Sequence, residues 1–275
     1  MSLERSDRET RFLFHGNAYA VGGNLIRPDG QIIETRGSVV LPQVGGGATA
    51  TVEDYNFRDL ISFRRARSKV LGNVEEKNGK RVFNTLATVA LEDVNIADLV
   101  TADRVVARLV SERIEGEQEL PMLPVGSSIS NLRIAGEPVD LKEQTLLYRV
   151  PTLMQMSELR ETGAVDGLGS PLRIPRLGDG ETVGGGRSYE EHRVLTSLYG
   201  TPSRLPAGCF AGKTPEGEAL YPWAVHIQGF GTVYFGELLM TRHSRTLTMI
   251  RVRMGCPECG DVQLGSTQGN GSTYP

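Results

Sequence analysis

Residues 52–70 read VEDYNFRDLISFRRARSKV, and residues 91–109 repeat that stretch without a gap as LEDVNIADLVTADRVVARL. Six positions are identical at the constant offset of 39 residues: Glu53/Glu92, Asp54/Asp93, Asn56/Asn95, Asp59/Asp98, Leu60/Leu99 and Arg65/Arg104. Chance would give roughly one identity, so the pair is one structural unit used twice. A weaker third copy, ISNLRIAGEPV, follows at residues 129–139, with Leu132, Ile134 and Ala135 in the places of Val94, Ile96 and Ala97.

Each unit begins with an acidic turn, Glu-Asp-x-Asn-x-x-Asp, and continues into a run rich in β-branched residues. In the second copy, strand geometry puts Val105, Ala107 and Leu109 on one face and Arg104 and Arg108 on the other. A helix over the same residues is the alternative, because their apolar positions also fit helical spacing. Since Val, Thr and Ile favour pleated sheet, the repeat predicts half-buried strands with a basic outer row.

The composition favours an all-β fold. Hydrophobic residues make up 39% of the 275 residues, and 33 Gly with 14 Pro suit many short strands joined by tight turns. We therefore predict a mainly antiparallel sandwich or barrel-like fold with one or two short helices in the C-terminal part; the alternative is an α+β fold. Asn78-Gly79 marks a hairpin turn, and the glycines at 45–47 indicate a flexible bend.

The chain is expected to divide into a β-domain over residues 1–141, which carries the repeat, and a second β-rich part over residues 142–275 packed on the first. Helices are predicted at residues 152–160 and 188–199, the latter with Ser188 and Glu191 as a capping box and Gly200 at its end. Strands are predicted at 223–228, 232–241, 245–254 and 262–264. The Gly/Ser-rich end after them reads as a tail.

Charge and hydropathy restrict the partners. The net charge of −3 gives no electrostatic argument for nucleic acid, and no apolar run is long enough for a membrane span. The charged N-terminus lacks the apolar core of a signal peptide, so a cytoplasmic location is expected. The alternative is the cell surface or the exterior, reached by leaderless export or as a mature form.

Residues 100–105 (VTADRV) and 132–139 (LRIAGEPV) resemble motifs of bacterial secreted β-domains of the choice-of-anchor type. In those domains a strand with "VTADAV"-like residues precedes one that ends in "L-x-V-x-G-x-P-V". The resemblance covers residues 15–141 or so, and this chain lacks the family's signal peptide and anchor segment. It implies a surface or structural β-domain and carries over no catalytic residue.

Among the candidate functional sites, a zinc site is the one that most resembles a known chemical motif. The Cys256-Pro257-Glu258-Cys259-Gly260 knuckle can point two thiolates at one ion, and Cys209 with His226 or His243 can complete a four-ligand set. The alternative is a tight turn between strands with reduced thiols, because one CxxC supplies only half of a zinc site.

Three further motifs have plainer explanations. Asp54, Asn56 and Asp59, with their copies in the second repeat, resemble calcium ligands but also suit turns capped by side-chain hydrogen bonds. The Gly-rich stretch 178–186 can hold an anion at a helix start or serve as a connector. The basic row can bind an anionic partner or pair with the acidic residues of the repeats, within the chain or between subunits.

The sequence favours a non-enzymatic structural or assembly protein that forms homo-oligomers, a filament or a surface layer. An enzyme or small-ligand-binding protein with a pocket between its two parts is the first alternative. The walls of that pocket would come from residues 163–187 and 223–240, with His192, His226 or Tyr234 buried around it. A zinc-binding structural domain is the second alternative.

Overall fold

Two antiparallel β-sheets packed face to face form the protein, as a computed structural model shows for residues 11–27, 30–116, 122–149, 193–241, 244–255 and 259–274. The all-β, sandwich-like prediction is confirmed. The described helical structure is one 3₁₀ turn, Thr145–Tyr148. No helix in the described ranges is long and apolar enough to cross a membrane.

Within the described ranges, seventeen strands build the two sheets. In chain order they are β1 (Arg11–Leu25), β2 (Gln31–Arg36), β3 (Val39–Val40), β4 (Gly46–Phe57), β5 (Ile61–Lys77), β6 (Lys80–Ile96), β7 (Val100–Ile114), β8 (Met122–Leu123), β9 (Ser128–Ser130), β10 (Arg133–Ile134), β11 (Glu137–Pro138), β12 (Arg193–Ser197), β13 (Cys209–Ala211), β14 (Ala224–Ile227), β15 (Gly231–Thr241), β16 (Arg245–Met254) and β17 (Gly260–Tyr274).

One sheet, here called the repeat sheet, has the order β11-β10-β7-β6-β5-β4, with β8 and β9 also paired to β7. The other, the terminal sheet, has the order β13-β14-β15-β16-β17-β1-β2, with β12 on β15 and β3 on β1. Their facing sides share one hydrophobic core that includes Phe14, Phe63, Leu91, Phe235 and Leu264. The repeat therefore forms a complete layer of the sandwich.

The terminal sheet takes strands from both sides of the predicted 141/142 boundary. The first strand, β1, pairs with the last strand, β17, from Arg11↔Tyr274 to Leu25↔Gly260. The terminal sheet thus joins both ends of the chain, while residues 46–138 supply the repeat sheet. Local patterns along the sequence could not reveal this, because the pairing links residues about as far apart as the chain allows.

The predicted tail is wrong for the same reason. Residues 260–274 form β17, which lies between β16 and β1 inside the terminal sheet. Ser266 and Thr267 are buried, although their side chains are polar and their neighbours are mostly Gly, Gln and Asn. This end of the chain is held by two of its own strands and so gives no argument for a neighbouring subunit.

The helix predicted at residues 188–199 is contradicted over its second half. Residues 193–197 form β12, which pairs with β15 from Arg193↔Thr241 to Ser197↔Glu237. The Ser197 hydroxyl also donates to the Phe235 carbonyl at 2.6 Å. Pairing with a long central strand outweighs local helix propensity. Ser188, Glu191 and the other predicted helix, 152–160, lie outside the described residues.

Each copy of the repeat is a β-hairpin rather than a single strand. The first copy joins the end of β4 to β5, the second joins the end of β6 to β7, and the short β10–β11 hairpin is the third. The strand prediction for residues 100–110 is confirmed, as is the hairpin turn at Asn78-Gly79. The three hairpins stand side by side, so the sheet is a ladder of repeated units.

Tight turns join the strands of each hairpin, and hydrogen bonds between these turns connect one hairpin to the next. Arg58 and Asp59, and likewise Ala97 and Asp98, have φ between 51° and 55°, as a type I′ turn requires. The Leu60 carbonyl accepts from the Ala97 amide at 2.7 Å, and the Leu99 carbonyl accepts from the Ala135 amide at 2.7 Å. The turns therefore form a hydrogen-bonded row along one rim of the sheet.

A second row of residues, whose backbone is left-handed, crosses the middle of the repeat sheet. Asp54, Asp93 and Asn131 occupy equivalent places, and their φ values are 50°, 55° and 52°. Along this row, two successive residues of each long strand point away from the core: Glu53/Asp54, Arg64/Arg65, Glu92/Asp93 and Asp103/Arg104. The strands change face here, so Val100 and Ala102 share the buried side with Val105, which strict alternation does not predict.

The six identical positions of the repeat all lie at these two rows. Glu53/Glu92, Asp54/Asp93 and Arg65/Arg104 lie at the kink, and Asn56/Asn95, Asp59/Asp98 and Leu60/Leu99 lie at the turn. The terminal sheet uses the same device with glycine, since Gly236 and Gly265 both have φ of 62° within strands. The repetition thus specifies where the sheet bends and turns.

The type I′ turn predicts a stabilising substitution. Ala97→Gly should raise the free energy of unfolding by about 0.5–1 kcal/mol, because the left-handed conformation costs alanine about 1–2 kcal/mol and glycine loses part of that gain as chain entropy. Urea unfolding measures the change. Ala87→Gly, in the fully buried middle of β6, is the control and should lower stability by about 1 kcal/mol or more. Loss of stability in both variants would contradict the turn assignment.

Candidate functional site

The ladder ends at β4, whose outer edge has no strand partner in the described part of the chain. β4 is 12 residues long, and its first seven, GGATATV at 46–52, contain neither proline nor a charge. Natural sheets usually protect such edges with lysine, proline, bulges or very short strands. Only the end of β4 has such features, namely the kink at Asp54 beside Glu53. Among the described residues nothing covers or pairs with this edge, so we call residues 46–52 the unprotected edge.

Exposed apolar side chains gather beside that edge. Val44, just before β4, is 87% exposed, and Leu71 and Val74 on β5 are 38% and 49% exposed. Leu71 pairs with Gly47, and a Cβ added to Gly47 would lie 3.3 Å from the Leu71 Cδ1 atom. The side chain of Leu71 therefore leans across Gly47 towards the open edge. Grouped exposed apolar residues of this kind mark interaction surfaces more often than scattered ones do.

The terminal sheet adds two more apolar residues on the same side of the sandwich. Val40 on β3 is 67% exposed and Ile32 on β2 is 77% exposed. β3 packs near both β4 and β5. Burial raises the pKa of Tyr55 on β4, and the charges of Arg36 and Glu34 on β2 also act on it. The edges of both sheets therefore lie together on this side, which we call the open side.

The other end of the ladder is closed. β11 consists of Glu137 and Pro138, and proline has no N–H to donate to a further strand. The outer edge of β7 is occupied in turn by β10, β9 and β8, at Val100–Thr101, Arg104–Val106 and Val110–Ser111. The contrast between the two ends makes the edge of β4 the candidate functional site of the repeat sheet.

The predicted basic row lies on the outer face of the repeat sheet, and part of it pairs with acids of the repeats. Arg65 contacts Glu53 at 3.1 Å within the first copy, and Arg64 contacts Glu92 at 3.0 Å and Asp93 at 2.5 Å across the two copies. These side chains are mostly exposed, so each pair contributes little stability. Of the two predicted alternatives for this row, pairing within the chain is the one that Arg64 and Arg65 adopt.

A buried ion pair occupies the outer face of the terminal sheet. The Arg251 Nε and Nη2 atoms donate to Glu237 at 2.6 and 2.8 Å, and the guanidinium carbon lies 3.8 Å from the centre of the Tyr234 ring. The Trp223 indole N–H donates to the same carboxylate at 3.3 Å. Burial by itself would lower the pKa of Arg251, but hydrogen bonds and charge from Glu237 raise it above its usual value.

Asp261 is the weaker partner of Arg251, at 3.4 Å, and burial raises its pKa against the pull of the arginine. A carboxyl whose pKa is raised on folding destabilises the fold when ionised, and the penalty disappears as the pH falls below its unfolded pKa. Asp261→Asn should therefore be slightly more stable than wild type at neutral pH and equal to it in acid. Urea unfolding at several pH values measures this, and an asparagine variant that is weaker at neutral pH would contradict it.

A polar groove of about 420 Å³ opens beside this cluster. It is lined by Tyr19, Asn24, Thr35, Asp261 and Gln263, with Gly22 and Gly23 between them. The Tyr19 hydroxyl donates to the Gln263 side chain at 2.7 Å. The pocket predicted between two parts of the chain is not tested by this groove, because residues 163–187 and His192 lie outside the described residues.

The described structure does not bring the predicted zinc ligands together. Cys209 begins β13 and Cys259 directly precedes β17, so four strand spacings, about 19 Å, separate them across the sheet. Burial also raises the pKa of the Cys209 thiol, which disfavours the thiolate that zinc requires. The strand order thus places Cys209 and Cys259 apart in the described structure. Cys256 and His243 lie outside the described residues, and a site at the Cys256–Cys259 knuckle stays a prediction.

The calcium-like motif caps turns. The Asn56 amide donates to Asp59 at 2.7 Å, and its oxygen accepts from the Asp59 backbone N–H at 2.8 Å. Asn95 and Asp98 repeat both bonds at 2.6 and 2.9 Å. Within the described ranges no group of three or more His, Cys, Asp or Glu side chains is placed to hold a metal. The Gly-rich stretch 178–186 lies outside those ranges.

The sequence does not identify the edge of β4, because the glycines at 45–47 indicate a flexible bend. In the structure Gly46 and Gly47 begin β4 and pair with Gly72 and Leu71. The signal was nevertheless present, since GGATATV alternates small and β-branched residues and lacks charge.

The family model described as Domain of unknown function (DUF8256) matches residues 12–170, more than half of the chain. No curated protein and no solved structure matches the chain. The matched residues include the complete repeat sheet and strands β1–β3.

Proposed function

This chain belongs to the DUF8256 family, and we propose that it is a non-enzymatic structural protein that assembles with copies of itself. The observation that carries this proposal is the unprotected edge of β4, at residues 46–52, beside exposed apolar side chains. An unpaired row of backbone N–H and C=O groups is a template for another strand. The opposite end of the repeat sheet is closed. This contrast supports the interpretation that the open edge of β4 serves assembly.

The repeat supports an assembly role in a second way. The chain itself builds the repeat sheet by adding one hairpin to another, with β6 of the second copy docked on β5 of the first. β4 and β6 are equivalent strands of the repeat, so the open edge of β4 is of the type that β6 already uses for pairing. Association of chains would continue the principle by which the layer is made.

Size measurement tests the proposal. Light scattering coupled to gel filtration should show a mass larger than the 30.0 kDa of one chain, and electron micrographs should show defined particles. A monomer throughout the accessible concentration range would overturn the assembly function.

Binding of a small polar ligand is the second candidate function, favoured by the groove between Tyr19 and Gln263. Its hydroxyl, amide and carboxylate groups suit a ligand rich in hydroxyl groups. Calorimetric titration with neutral sugars tests it, and Gln263→Ala should abolish any heat of binding that is found. Absence of binding by the wild-type protein would remove this candidate.

A further inference from the structure

We infer that two copies of this chain pair through β4, antiparallel about a two-fold axis, to form a closed dimer whose repeat sheets are continuous. This inference rests on the proposed function and deepens it by naming the strand, the partner and the symmetry. Antiparallel pairing of a strand with its own copy is isologous, so it uses the same surface on both chains and leaves none for further growth.

The identity of the partner strand follows from the edges that are present. A partner for residues 46–52 needs an open edge of comparable length. In the described part of the chain the other strands that pair on one side only are short, with two to six residues: β2, β3, β8, β9, β11, β12 and β13. β11 contains Pro138, and β2 carries the charged side chains of Glu34 and Arg36 within its short length. β4 of a second copy matches best in length and in lack of charge.

Charge restricts the centre of the pairing between the two copies to the first half of β4. Pairing centred near Glu53 would place Glu53 and Asp54 of one copy against the same residues of the other, and directly opposed like charges destabilise a sheet. Centring within residues 46–52 avoids this. It also places Thr49 and Thr51 of the two copies next to one another on the outer face, where such pairs are favourable.

The apolar residues of the open side enlarge the surface that the proposed dimer buries beyond that buried by strand pairing alone. Stable interfaces bury roughly 800 Å² on each partner, more than the backbone of seven residues provides. Leu71 reaches over Gly47 on the outer face, and Val44 and Val74 flank the start of the strand. A second copy paired along residues 46–52 comes next to these side chains and can cover them.

The neighbours of Thr49 and Thr51 make a sharp test possible. Thr49 lies opposite Lys69, and Thr51 lies opposite Arg67, within the same chain. Glutamate at both positions therefore gains favourable cross-strand partners inside the monomer but meets like charge in the dimer. The variant Thr49→Glu/Thr51→Glu should be monomeric at concentrations where wild type has twice the mass of one chain. At a dilution where wild type is also monomeric, the variant should have equal or slightly higher thermal stability.

Ser130→Glu is the matched control. Ser130 is also exposed and lies opposite an arginine, Arg104, but on β9 at the other side of the repeat sheet. This variant should remain dimeric.

A charge-swapped variant completes the test. Thr49→Lys/Thr51→Lys should also be monomeric alone. An equimolar mixture of the Lys and Glu variants should restore the dimer as a heterodimer, visible by native mass spectrometry.

The outcomes separate the two proposals. A wild-type monomer at all concentrations overturns the proposed function and this inference together. A wild-type oligomer whose mass is unchanged in the glutamate variant overturns only the β4 assignment. A wild-type assembly that grows without limit overturns the closed two-fold dimer, because head-to-tail contacts are then in use. Failure of the Lys and Glu variants to associate when mixed also overturns pairing of β4 with β4.

Discussion

Glu237→Ala should lower the free energy of unfolding by about 3 kcal/mol, the lower end of what loss of one partner costs a buried ion pair. Glu237 is buried and receives two hydrogen bonds from Arg251 and one from Trp223. Its removal leaves the Arg251 charge with Asp261, at 3.4 Å, as its remaining acidic contact. The side chain of Arg251 is 20% exposed, so water offsets part of the cost. Urea unfolding at neutral pH measures the change.

The double variant Glu237→Leu/Arg251→Met is the control for this mechanism. It removes both charges and keeps apolar volume between Tyr234 and Trp223, so it should be clearly more stable than Glu237→Ala alone. If the double variant loses as much stability as Glu237→Ala does, the cost does not come from an uncompensated charge. A single variant within about 1 kcal/mol of wild type would likewise contradict the burial of the pair.

Gly231→Ala should destabilise the protein by about 3 kcal/mol or more. Gly231 begins β15 with φ of 137°, and a Cβ there would lie 2.2 Å from the carbonyl oxygen of Arg253. Both the backbone conformation and the contact with β16 must change, because the clashing atom belongs to the main chain. The strand affected is the one that joins β14, β12 and β16.

Gly79→Ala separates the contribution of conformation from that of contact. Gly79 also has positive φ, 72°, but nothing lies within 4 Å of its added Cβ. This variant should cost about 1 kcal/mol, the price of left-handed backbone alone. Thermal unfolding of both variants provides the comparison. Equal losses in the two would mean that the close approach of Gly231 to Arg253 has no energetic consequence.

The sequence predicted the parts of the fold that depend on neighbours along the chain. The Asn78-Gly79 turn, the strands after Trp223 and the strands of the repeat all follow from alternation and turn chemistry. The repeat also identified the residues that shape the sheet. What alternation missed was the change of face at Asp54 and Asp93, because a single left-handed residue reverses the pattern without a signal such as glycine.

The parts that failed depend on distant partners. β17 has the composition of a linker, and only β16 and β1 on its two sides make it a strand. Residues 193–197 follow a helix capping signal but pair with β15. GGATATV carries the alternation of an uncharged strand, but its place at an edge could not be predicted, since an edge is defined by the strand that is missing beside it. The separation of Cys209 from Cys259 likewise depends on the order of five strands.

The most direct measurement of the self-assembly of this chain is backbone hydrogen exchange at increasing protein concentration. Amides in residues 46–52 should exchange more slowly as the mass rises from one chain to two, because the outward N–H groups of β4 become hydrogen-bonded. Amides of the distant turn at Asn78-Gly79 should not change. Equal exchange of residues 46–52 at concentrations where the protein is monomeric and where it is associated would contradict pairing through β4.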